Sequence, residues 1–478
     1  MATKPSRSLS AVVMAAGRGK RLKSSTPKVL HDVCGRPVLW HILSAVAGVR
    51  PNRIIVVVSH GKDHVEESVG EWGLSFPITF VDQRRPLGTG HAVAAAERAV
   101  GRTDDVLVVP GDNPLITTAM LRDVLRLHRR RRPAATMQST TLPDATGYGR
   151  VIREGDRFLR IAEEREATPE ERAVTEVATS VYAFRREDLY RALPAVGREN
   201  SQREYYLPDV LGILAHKGED VRAVTADYGG ALDVNSRAAL ARAAEAMRRR
   251  INEGHMEAGV TIVDPSQTYI DAGVRIGRDA VILPVTFLEG ATVIGKGCTI
   301  GPSTRIVDTR IGEEAEVQFS VVRGSRIGAR ASVGPYASLR PKTVLAPGAK
   351  AGTFVEIKAS RVGKGAKVPH LAYVGDAFVG EGANVGAGTV TCNYDGFEKH
   401  QTRIGPGAFI GSDTMLVAPV KVGRNAVTGA GSTITRDVPA GALGVERAEQ
   451  RTVRGYTERR KKKARGARGR KASGGGKA

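Results

Sequence analysis

Aliphatic residues recur at every sixth position in the C-terminal half of the chain, a spacing that fits neither a helix nor an alternating strand. The clearest run is Ile404, Ile410, Leu416, Val422, Thr428 and Ile434. Glycine follows many of these positions, and the pattern extends back to about Gly273. The period predicts a parallel β-helix whose three flat sides make a coil of about 18 residues, with the aliphatic side chains pointing inward. The alternative is a loose β domain rich in Val and Gly.

The N-terminal half alternates continuous apolar runs with helix-forming segments, which predicts a mostly parallel sheet covered by helices. The predicted strands are residues 9–14, 54–58, 78–81 and 106–109, and the predicted helices are residues 38–49 and a segment from about residue 90. In such sheets ligands bind outside the carboxyl ends of the strands. Gly17 and Asp112 each follow a buried strand, so we expect both to face one crevice.

A chain of 478 residues is long enough for about two or three domains. Ser236 is a good helix cap, and the Ala- and Arg-rich segment after it should bridge the two halves. We therefore expect a nucleotide-binding domain at 9–235, a linker helix at 236–255, a β-helix domain at 256–445 and a C-terminal extension at 446–478. The extension should end in a disordered basic tail.

The net charge of +22 raises nucleic acid as a partner, but the charge is unevenly placed. The tail from Arg459 holds ten Lys or Arg and no acid, and no basic strand with interleaved aromatic residues precedes it. We expect no specific nucleic-acid recognition, while non-specific contacts of the tail stay open. No apolar run approaches the length of a membrane span, and the first apolar run is too short for a secretory signal, so we expect a cytoplasmic protein.

The three cysteines, Cys34, Cys298 and Cys392, lie far apart without paired spacing. Neither a disulfide framework nor a zinc site is expected from them.

The first strand leads into a segment with the parts of a phosphate cradle, residues 15–22 (AAGRGKRL). Glycines let the backbone approach a phosphate, and nearby cations, including Lys28, would neutralise its charge. Asp112 supplies a carboxylate at a strand end, where Mg²⁺ bridging to phosphates is usual. Such glycine-rich turns often bind nothing, and Asp112 before Asn-Pro is also typical of a turn.

Four interruptions of the six-residue repeat carry the chemical groups of the second half. They lie at residues 339–342, 354–358, 368–375 and 392–396. His370, in the third interruption, is a candidate general base because imidazole titrates near pH 6.5. A structural histidine that caps a turn is the alternative. Arg340, Lys358 and Tyr373 nearby favour an anionic ligand.

Several motifs together resemble those of nucleotide-sugar pyrophosphorylases. They are MAAGRGKRL at 14–22 with PKVL at 27–30, PLGTGHA at 86–92, GYGR at 147–150, EYY at 204–206 and DVN at 233–235. With the β-helix behind them, residues 9 to about 455 resemble the family of bifunctional N-acetylglucosamine-1-phosphate uridylyltransferase/glucosamine-1-phosphate N-acetyltransferase enzymes. The resemblance implies a Rossmann-like α/β pyrophosphorylase domain followed by a left-handed parallel β-helix.

For the first half, the resemblance implies uridylyl transfer from UTP with Mg²⁺. Arg21 and Lys28 would balance the charge of the triphosphate and of the phosphorus under attack. Asp112 and Asn235 would hold Mg²⁺. The remaining ligand contacts would come from Ala15, Ala16 and Gly17 for the nucleotide, from Gln83, Gly88 and Thr89 for uracil, and from Gly149, Glu163 and Glu204 for the sugar.

Two positions depart from the family pattern. Ala178 stands where the family usually has Asn on its sugar-contacting strand, and Asp233 stands where Gly commonly precedes Val-Asn. We expect Ala178 to weaken or alter the sugar site by about 0.5–1.5 kcal/mol, the worth of one hydrogen bond. Asp233, beside the expected metal site, is a candidate for a further ligand.

For the second half, the resemblance implies acetyl transfer from acetyl-CoA to glucosamine 1-phosphate. His370 would deprotonate the attacking amine, and Asn393 would donate to the oxyanion. The sugar phosphate would be bound by Arg340, Lys358, Tyr373, Asn384 and Lys399. Acetyl-CoA would be bound by Ala387, Asn393, Tyr394, Ser412, Ala430 and Arg447. The family's β-helices associate as homotrimers, so we expect a homotrimer.

The sequence therefore predicts a bifunctional enzyme whose substrates are glucosamine 1-phosphate, N-acetylglucosamine 1-phosphate, UTP and acetyl-CoA. Two rivals stay open: a transferase of single activity with a regulatory β-helix, and a trimeric scaffold whose N-terminal domain is inactive. A carbonic anhydrase of similar architecture is disfavoured, because the β-helix offers only His370 and His400 as histidine ligands.

Overall fold

The structure is a computed structural model that describes residues 7–17, 19–155, 157–228 and 233–473. It divides into two compact units, Met1–Glu314 and Ala315–Ala478. The first unit holds an α/β domain, a long helix and the first coils of a β-helix. The second unit holds further coils and the C-terminal helix. The division falls inside the β-helix, so the predicted domain limits stay predictions.

The α/β domain is built on one mixed sheet of nine strands among the described residues, in the order β11-β7-β10-β6-β1-β4-β5, with β8 beside β10 and β9 beside β8. The strands, with a separate hairpin formed by β2 and β3, are β1 (Leu9–Met14), β2 (Asp32–Val33), β3 (Arg36–Pro37), β4 (Arg53–Val58), β5 (Ile78–Asp82), β6 (Asp105–Pro110), β7 (Ala135–Thr141), β8 (Arg150–Glu154), β9 (Arg157–Ala162), β10 (Glu176–Arg185) and β11 (Val221–Thr225). Strand β1 pairs in parallel with both β4 and β6. Strand β10 is antiparallel to β6 and β7. The four predicted strands do form a parallel core, β6-β1-β4-β5, but the sheet as a whole is mixed rather than mostly parallel, because β10, β8 and β9 pair antiparallel.

Continuous apolar sequence explains the central strands. Every residue of β6 is buried, and in β1 only Met14 is partly exposed, because helices pack on both faces of the sheet. The helices are α1 (Val38–Ala47), α2 (Lys62–Glu71), α3 (Thr89–Ala95), α4 (Glu97–Val100), α5 (Thr118–Arg131), α6 (Pro169–Arg172), α7 (Arg186–Ala192), α8 (Pro208–His216) and α9 (Arg237–Glu257), with short 3₁₀ turns at Lys20–Leu22, Lys28–Leu30, Leu193–Ala195 and Pro265–Gln267. The strand ends that carry Gly17 and Asp112 therefore lie at one edge.

Helix α9 begins where the sequence predicts, because the Ser236 hydroxyl accepts a hydrogen bond from the backbone N–H of Ala239. It continues to Glu257 and packs on the first coil of the β-helix. The buried Asn252 amide donates to the carbonyls of Pro265 and Thr268, at 2.9 and 3.1 Å. These bonds fix the helix against the coil within the first unit.

Short strands form a left-handed parallel β-helix with three sheets, as the six-residue period predicts. In the first unit the sheets are Thr261–Ile262, Val281–Ile282 and Thr299–Ile300; Thr268–Ile270, Thr286–Glu289 and Thr304–Val307; and Arg275–Ile276, Val293–Ile294 and Arg310–Ile311. In the second unit the first sheet is Glu316–Val317, Ser332–Val333, Lys350–Thr353, Lys367–His370, Asn384–Val385, Phe409–Ile410, Val427–Thr428 and Leu443–Gly444. The second is Val321–Arg323, Ser338–Leu339, Glu356–Lys358, Tyr373–Gly375, Val390–Cys392, Met415–Val417 and Thr433–Ile434. The third is Arg326–Ile327, Val344–Leu345, Arg361–Val362, Ala377–Val379, Thr402–Ile404 and Val420–Val422.

The interior of the β-helix is a set of in-register aliphatic stacks. Leu339 pairs with Ile357 and Ile357 with Val374, and all three are buried. A Cβ on Gly363 would lie 2.7 Å from the backbone nitrogen of Glu381 in the next coil, which explains the glycine after the aliphatic position.

The coil length departs from the predicted constant value of 18 residues. Arg275 pairs with Val293, 18 residues on, but Val293 pairs with Arg310 after 17 and Glu316 with Ser332 after 16. The difference is taken up in the turns, because the strand residues keep their pairing while a turn can lose a residue.

The C-terminal extension differs from the predicted disordered tail, since residues Tyr456–Ser473 form an α-helix, α10. Arg, Lys and Ala have high helix propensity, which favours a helix even in this strongly charged segment. Residues 474–478 of the predicted tail lie outside the described residues. Among the described helices, none is long and apolar enough to cross a membrane.

We predict that Ile404→Ala lowers the free energy of unfolding by about 2–5 kcal/mol, because it opens a cavity in a fully buried stack. Arg403→Ala, on the outer face of the same strand, is the matched control and should change it by about 0.5 kcal/mol or less. Urea unfolding followed by circular dichroism measures both. Equal effects would contradict the inward-facing register.

Candidate active sites

A cavity of about 660 Å³ lies at the carboxyl ends of β1 and β6. Its walls include most of the residues predicted for uridylyl transfer: Ala15, Ala16, Gly17, Lys28, Gln83, Gly88, Thr89, Asp112, Ala178 and Glu204. Asp233 and Tyr148 also line it. The structure therefore brings together groups that are up to about two hundred residues apart in sequence.

Backbone hydrogen bonds hold the loop after β1 against neighbouring strand ends. The N–H of Ala15 donates to the carbonyl of Val57, and the N–H of Gly111 donates to the carbonyl of Met14, both at 2.8 Å. A Cβ on Gly111 would lie 2.6 Å from that carbonyl oxygen, so the close approach requires glycine. The loop that contains Gly17 is thereby fixed beside Asp112.

Lys28 is the electrostatic centre of this cavity. Its Nζ donates to Oδ2 of Asp112 at 2.5 Å and to Oδ1 of Asn235 at 2.9 Å. The lysine side chain is largely buried, so the ion pair with Asp112 is partly shielded from solvent. A carboxylate and an amide oxygen thus converge on one cation. Arg21 is exposed and does not line the cavity, and Arg18 lies outside the described residues.

Asp233 lies beside this centre and is tied to the loop of residues 147–149. Its Oδ1 accepts a hydrogen bond from the Tyr148 hydroxyl at 3.0 Å. Burial, followed by the charge of Asp112, raises the pKa of Asp233. Burial and the charge of Asp233 raise the pKa of Tyr148. Two carboxylates, both largely buried, therefore lie on the wall of the same cavity.

The three residues predicted to contact uracil are held by bonds within the protein. The Gln83 amide nitrogen donates to the carbonyl of Gly88 at 3.0 Å, and the Thr89 hydroxyl accepts from the N–H of Leu207 at 2.9 Å. Gly88 has φ +112°, and a Cβ there would lie 2.4 Å from the carbonyl oxygen of Tyr205. The segment is therefore rigid, and the Gln83 side-chain oxygen has no partner among the described residues.

The predicted sugar wall lies along the start of β10. The Ala178 N–H donates to the carbonyl of Gly149 at 2.9 Å, and a Cβ on Gly149 would come within 3.2 Å of the Glu163 carboxylate. Burial raises the pKa of Glu163, as do the charges of Glu166 and Asp209. Gly149, Glu163 and Asn235 do not line the cavity surface, but Gly149 is bonded to Ala178 and Asn235 to Lys28, both of which do.

In the second unit, Asp376 joins residues predicted for the sugar phosphate and for the oxyanion. Its Oδ2 accepts from the Asn393 amide at 2.5 Å and lies 3.6 Å from Nζ of Lys358. Lys358 is also next to Lys399, and this contact lowers the pKa of Lys399. Two cations, one carboxylate and one amide therefore form a single cluster.

Tyr373 extends the cluster across Gly375. A Cβ on Gly375 would lie 2.5 Å from the Tyr373 hydroxyl and 2.9 Å from the Asn393 amide nitrogen. The phenol and the amide can therefore meet only over a glycine. Arg340 directly follows the strand Ser338–Leu339 and forms an ion pair with Glu356 at 2.9 Å.

His370 ends the strand Lys367–His370, beside Thr353, and its side chain is exposed. The His370 side chain makes no hydrogen bond or ion pair with any residue that the structure describes. Among these residues, no contact joins that side chain to the Asp376 cluster. Asn384 lies on the next strand of the same sheet, Asn384–Val385, and pairs there with Lys367.

Ala387, Ser412 and Ala430 follow corner glycines of successive coils, so they form a straight ridge. The carbonyl of Ala387 accepts from Asp413, and that of Ser412 accepts from Gly431, which keeps the coils in step. Arg447 reaches the same ridge and donates to the carbonyl of Ala430 at 3.0 Å. The predicted acetyl-CoA residues thus lie along one edge of the β-helix.

The loop at residues 392–401 carries the other predicted contacts and is braced by its own bonds. Tyr394 pairs with Lys399 across it, and the Asp395 carboxylate accepts from His400 at 2.7 Å. Tyr394 is exposed. Val390 pairs with Met415 beyond the loop, so the β-helix continues undisturbed.

Two residues of these sites escaped the sequence analysis. Tyr148 sits inside the quoted GYGR motif, and its polar end could have been weighed as a hydrogen-bond donor. Asp376 directly follows the third interruption of the repeat and lies 18 residues after Lys358. The predicted coil length therefore could have placed its carboxylate next to that cation. Both act through partners that are distant in sequence.

Comparisons with known proteins agree with this two-part arrangement. Residues 11–200 match the model of the MobA-like NTP transferase domain, and residues 401–436 match that of the bacterial transferase hexapeptide, with six repeats. The protein "Bifunctional protein GlmU" of Desulfitobacterium hafniense (strain Y51) is 45% identical over 95% of this chain and 99% of its own length. The chain belongs to the GlmU family.

Other GlmU proteins give the same result. Those of Caldanaerobacter subterraneus subsp. tengcongensis and Heliobacterium modesticaldum are 46% and 47% identical, over 96% and 95% of this chain and 99% and 98% of their own lengths. The similarity covers both the cavity of the first unit and the Asp376 cluster of the second, as expected for a chain with both GlmU parts.

We predict that Glu163→Gln stabilises the protein at pH 7 and that this gain disappears below about pH 4. A carboxyl whose pKa is raised on folding is protonated in both states at low pH, so its cost appears only as pH rises above the unfolded value near 4.3. Urea unfolding across pH 4–8 measures the difference, with Glu154→Gln as an exposed control. A gain that is independent of pH would contradict the buried charge as its cause.

Proposed function

We propose that the chain is a cytoplasmic, homotrimeric enzyme with two activities in the synthesis of UDP-N-acetylglucosamine. Its β-helix acetylates glucosamine 1-phosphate with acetyl-CoA, and its α/β domain transfers UMP from UTP to N-acetylglucosamine 1-phosphate. The observation that carries the proposal is the GlmU similarity over about 95% of the chain, which spans both candidate sites.

In the first reaction centre, a phosphate oxygen of the sugar 1-phosphate attacks the α-phosphorus of UTP. The new P–O bond forms as the bond to the β-phosphate breaks, and pyrophosphate leaves. Charge accumulates on phosphate oxygens, so catalysis consists mainly of positioning and neutralisation. Lys28 is suited to this because its ammonium already faces the cavity, and Arg21 would approach from the exposed rim. Ala15, Ala16 and Gly17 would hold the nucleotide and its phosphates against the loop.

Asp112 and Asn235 would hold Mg²⁺, as the family implies. Their donor types fit, because both are hard oxygen ligands that already converge on the Lys28 ammonium. When bound, Mg²⁺ neutralises phosphate charge and orients the triphosphate. Lys28 would then turn from Asp112 towards the phosphates.

Recognition of the two organic groups would follow the walls of the cavity. Gln83, Gly88 and Thr89 form a rigid edge suited to the amide-like face of uracil. Gly149, Glu163 and Glu204 would bind the sugar, and Ala178 offers no side-chain hydrogen bond there. We propose that the sugar is bound with one contact fewer than in relatives that have Asn.

In the second reaction centre, His370 would take a proton from the amine of glucosamine 1-phosphate as the nitrogen attacks the thioester carbon. A C–N bond forms and the C–S bond breaks, and the proton held by His370 passes to the departing sulfur, so that CoA leaves as the thiol. Asn393 would donate to the oxyanion with the N–H that does not face Asp376. Asp376 is a positioning residue, since it acts through Asn393 and Lys358.

The phosphate of this substrate would be bound by cations at the Asp376 cluster, namely Lys358 and Lys399, together with Arg340, Tyr373 and Asn384. Acetyl-CoA would lie along the ridge of Ala387, Ser412 and Ala430, with Asn393, Tyr394 and Arg447. We propose that a neighbouring chain of the trimer completes this site, since the exposed His370 side chain has no partner among the residues that the structure describes.

We predict that His370→Ala lowers acetyl transfer by about 10²–10⁴-fold, because the general base is lost. Uridylyl transfer should stay unchanged. Asp112→Asn, the reciprocal control, should reduce uridylyl transfer and leave acetyl transfer intact. Separate assays of CoA release and pyrophosphate release on the full chain measure both. Acetyl transfer that survives His370→Ala would contradict the role of His370, and no acetyl transfer by the unaltered chain would favour a transferase of single activity.

We predict that Ala178→Asn lowers the KM for N-acetylglucosamine 1-phosphate roughly two- to tenfold, the range given by one added hydrogen bond of about 0.5–1.5 kcal/mol. The KM for UTP and the rate of acetyl transfer serve as internal controls and should not change. Steady-state kinetics of pyrophosphate release provide the measurement. An unchanged or raised KM for the sugar phosphate would show that Ala178 does not face the sugar.

A further inference from the structure

Asp233 occupies the same cavity as Lys28 and Asp112. Its chain neighbour Val234 donates a backbone hydrogen bond to the carbonyl of Asp112 at 2.9 Å. The segment that carries Asp233 and Asn235 is therefore tied directly to the strand end that carries Asp112. Asp233 is placed there by backbone structure, independently of its own side chain.

The Asp233 carboxylate is oriented by Tyr148, whose hydroxyl donates to its Oδ1 at 3.0 Å, and by the backbone N–H of Asp233 itself. No side chain among the described residues donates a hydrogen bond to its Oδ2. One oxygen is thus held in place while the other stays available to a ligand in the cavity. A hydrogen bond to Tyr148 does not by itself require the Asp233 carboxylate to be exposed to the cavity, yet Asp233 lines it.

The local charge is unbalanced. Asp112 and Asp233 both line the cavity beside Lys28, and Lys28 forms an ion pair with Asp112. If Lys28 moves to a phosphate, the two carboxylates lose the cation that lies beside them. A divalent cation between them and Asn235 restores the balance, since hard cations select carboxylate and amide oxygens.

We propose that Asp233 supplies a third protein oxygen to the divalent cation held by Asp112 and Asn235, and that Tyr148 positions it. The proposal rests on the proposed function, because it deepens the cation site of the uridylyl-transfer centre. Two carboxylates and one amide bind a divalent cation more tightly than one carboxylate and one amide. The site should therefore also accept Mn²⁺ well, a cation with the same preference for oxygen.

Direct titration of the full chain with Mn²⁺ alone, followed by the electron paramagnetic resonance of the free ion, tests the proposal without turnover. Asp233→Asn should weaken Mn²⁺ binding by at least about tenfold, and Tyr148→Phe should weaken it by a smaller factor. Asp112→Asn is the positive control. Asp123→Asn, a surface carboxylate of α5, is the matched control and should bind as the unaltered chain does. If Asp233→Asn does not fold by circular dichroism, Asp233→Gly takes its place.

The outcomes separate the two proposals. Affinity reduced by Asp233→Asn and by Asp112→Asn supports the third oxygen. Affinity reduced by Asp112→Asn alone overturns it and leaves the proposed function intact. Equal affinity in all variants, or no binding by the unaltered chain, overturns the third oxygen and removes the proposed Mg²⁺ site as well.

Discussion

Parallel, in-register pairing of short strands is the constraint on which both candidate sites depend. In the α/β sheet it aligns the carboxyl ends of β1, β4 and β6, so that loops from different parts of the chain meet at one edge. In the β-helix the same pairing stacks each corner above the next, which turns single residues into ridges. The first site is built mainly from loops that the pairing brings together, and the second from strand ends and turns of neighbouring coils.

Both sites also combine cations with carboxylates that hold them in place. Lys28 lies against Asp112 and Asn235, and Lys358 lies against Asp376. In each case the cation lies where we propose that a phosphate binds, and the carboxylate limits the freedom of the cation before the substrate arrives. Such preorganisation lowers the cost of ordering charged side chains around a phosphate. It also makes the carboxylate as important as the cation for the geometry.

The sequence was sufficient to predict the central strands of the α/β sheet and the β-helix, because the features that specify them are local. Continuous apolar runs located β1, β4 and β6, and the six-residue period located the β-helix. The contacts inside the sites could not be derived in this way: Lys28 and Asn235 are bonded across 207 residues, and only the folded sheet brings them together. The variable length of the coils could not be predicted from the six-residue period either, because the inward-facing residues keep their pairing while a turn loses a residue. The helix at residues Tyr456–Ser473 was not predicted, because the run of like charges was given more weight than the helix propensity of Arg, Lys and Ala.

The central claim is that one chain carries two coupled activities. The most direct measurement incubates the full chain with glucosamine 1-phosphate, acetyl-CoA, UTP and Mg²⁺, and quantifies CoA, pyrophosphate and UDP-N-acetylglucosamine together. Final yields of the three products in equal amounts, with CoA release preceding pyrophosphate release, are the expected result. CoA release without pyrophosphate, or pyrophosphate release that does not require acetyl-CoA, would contradict the claim.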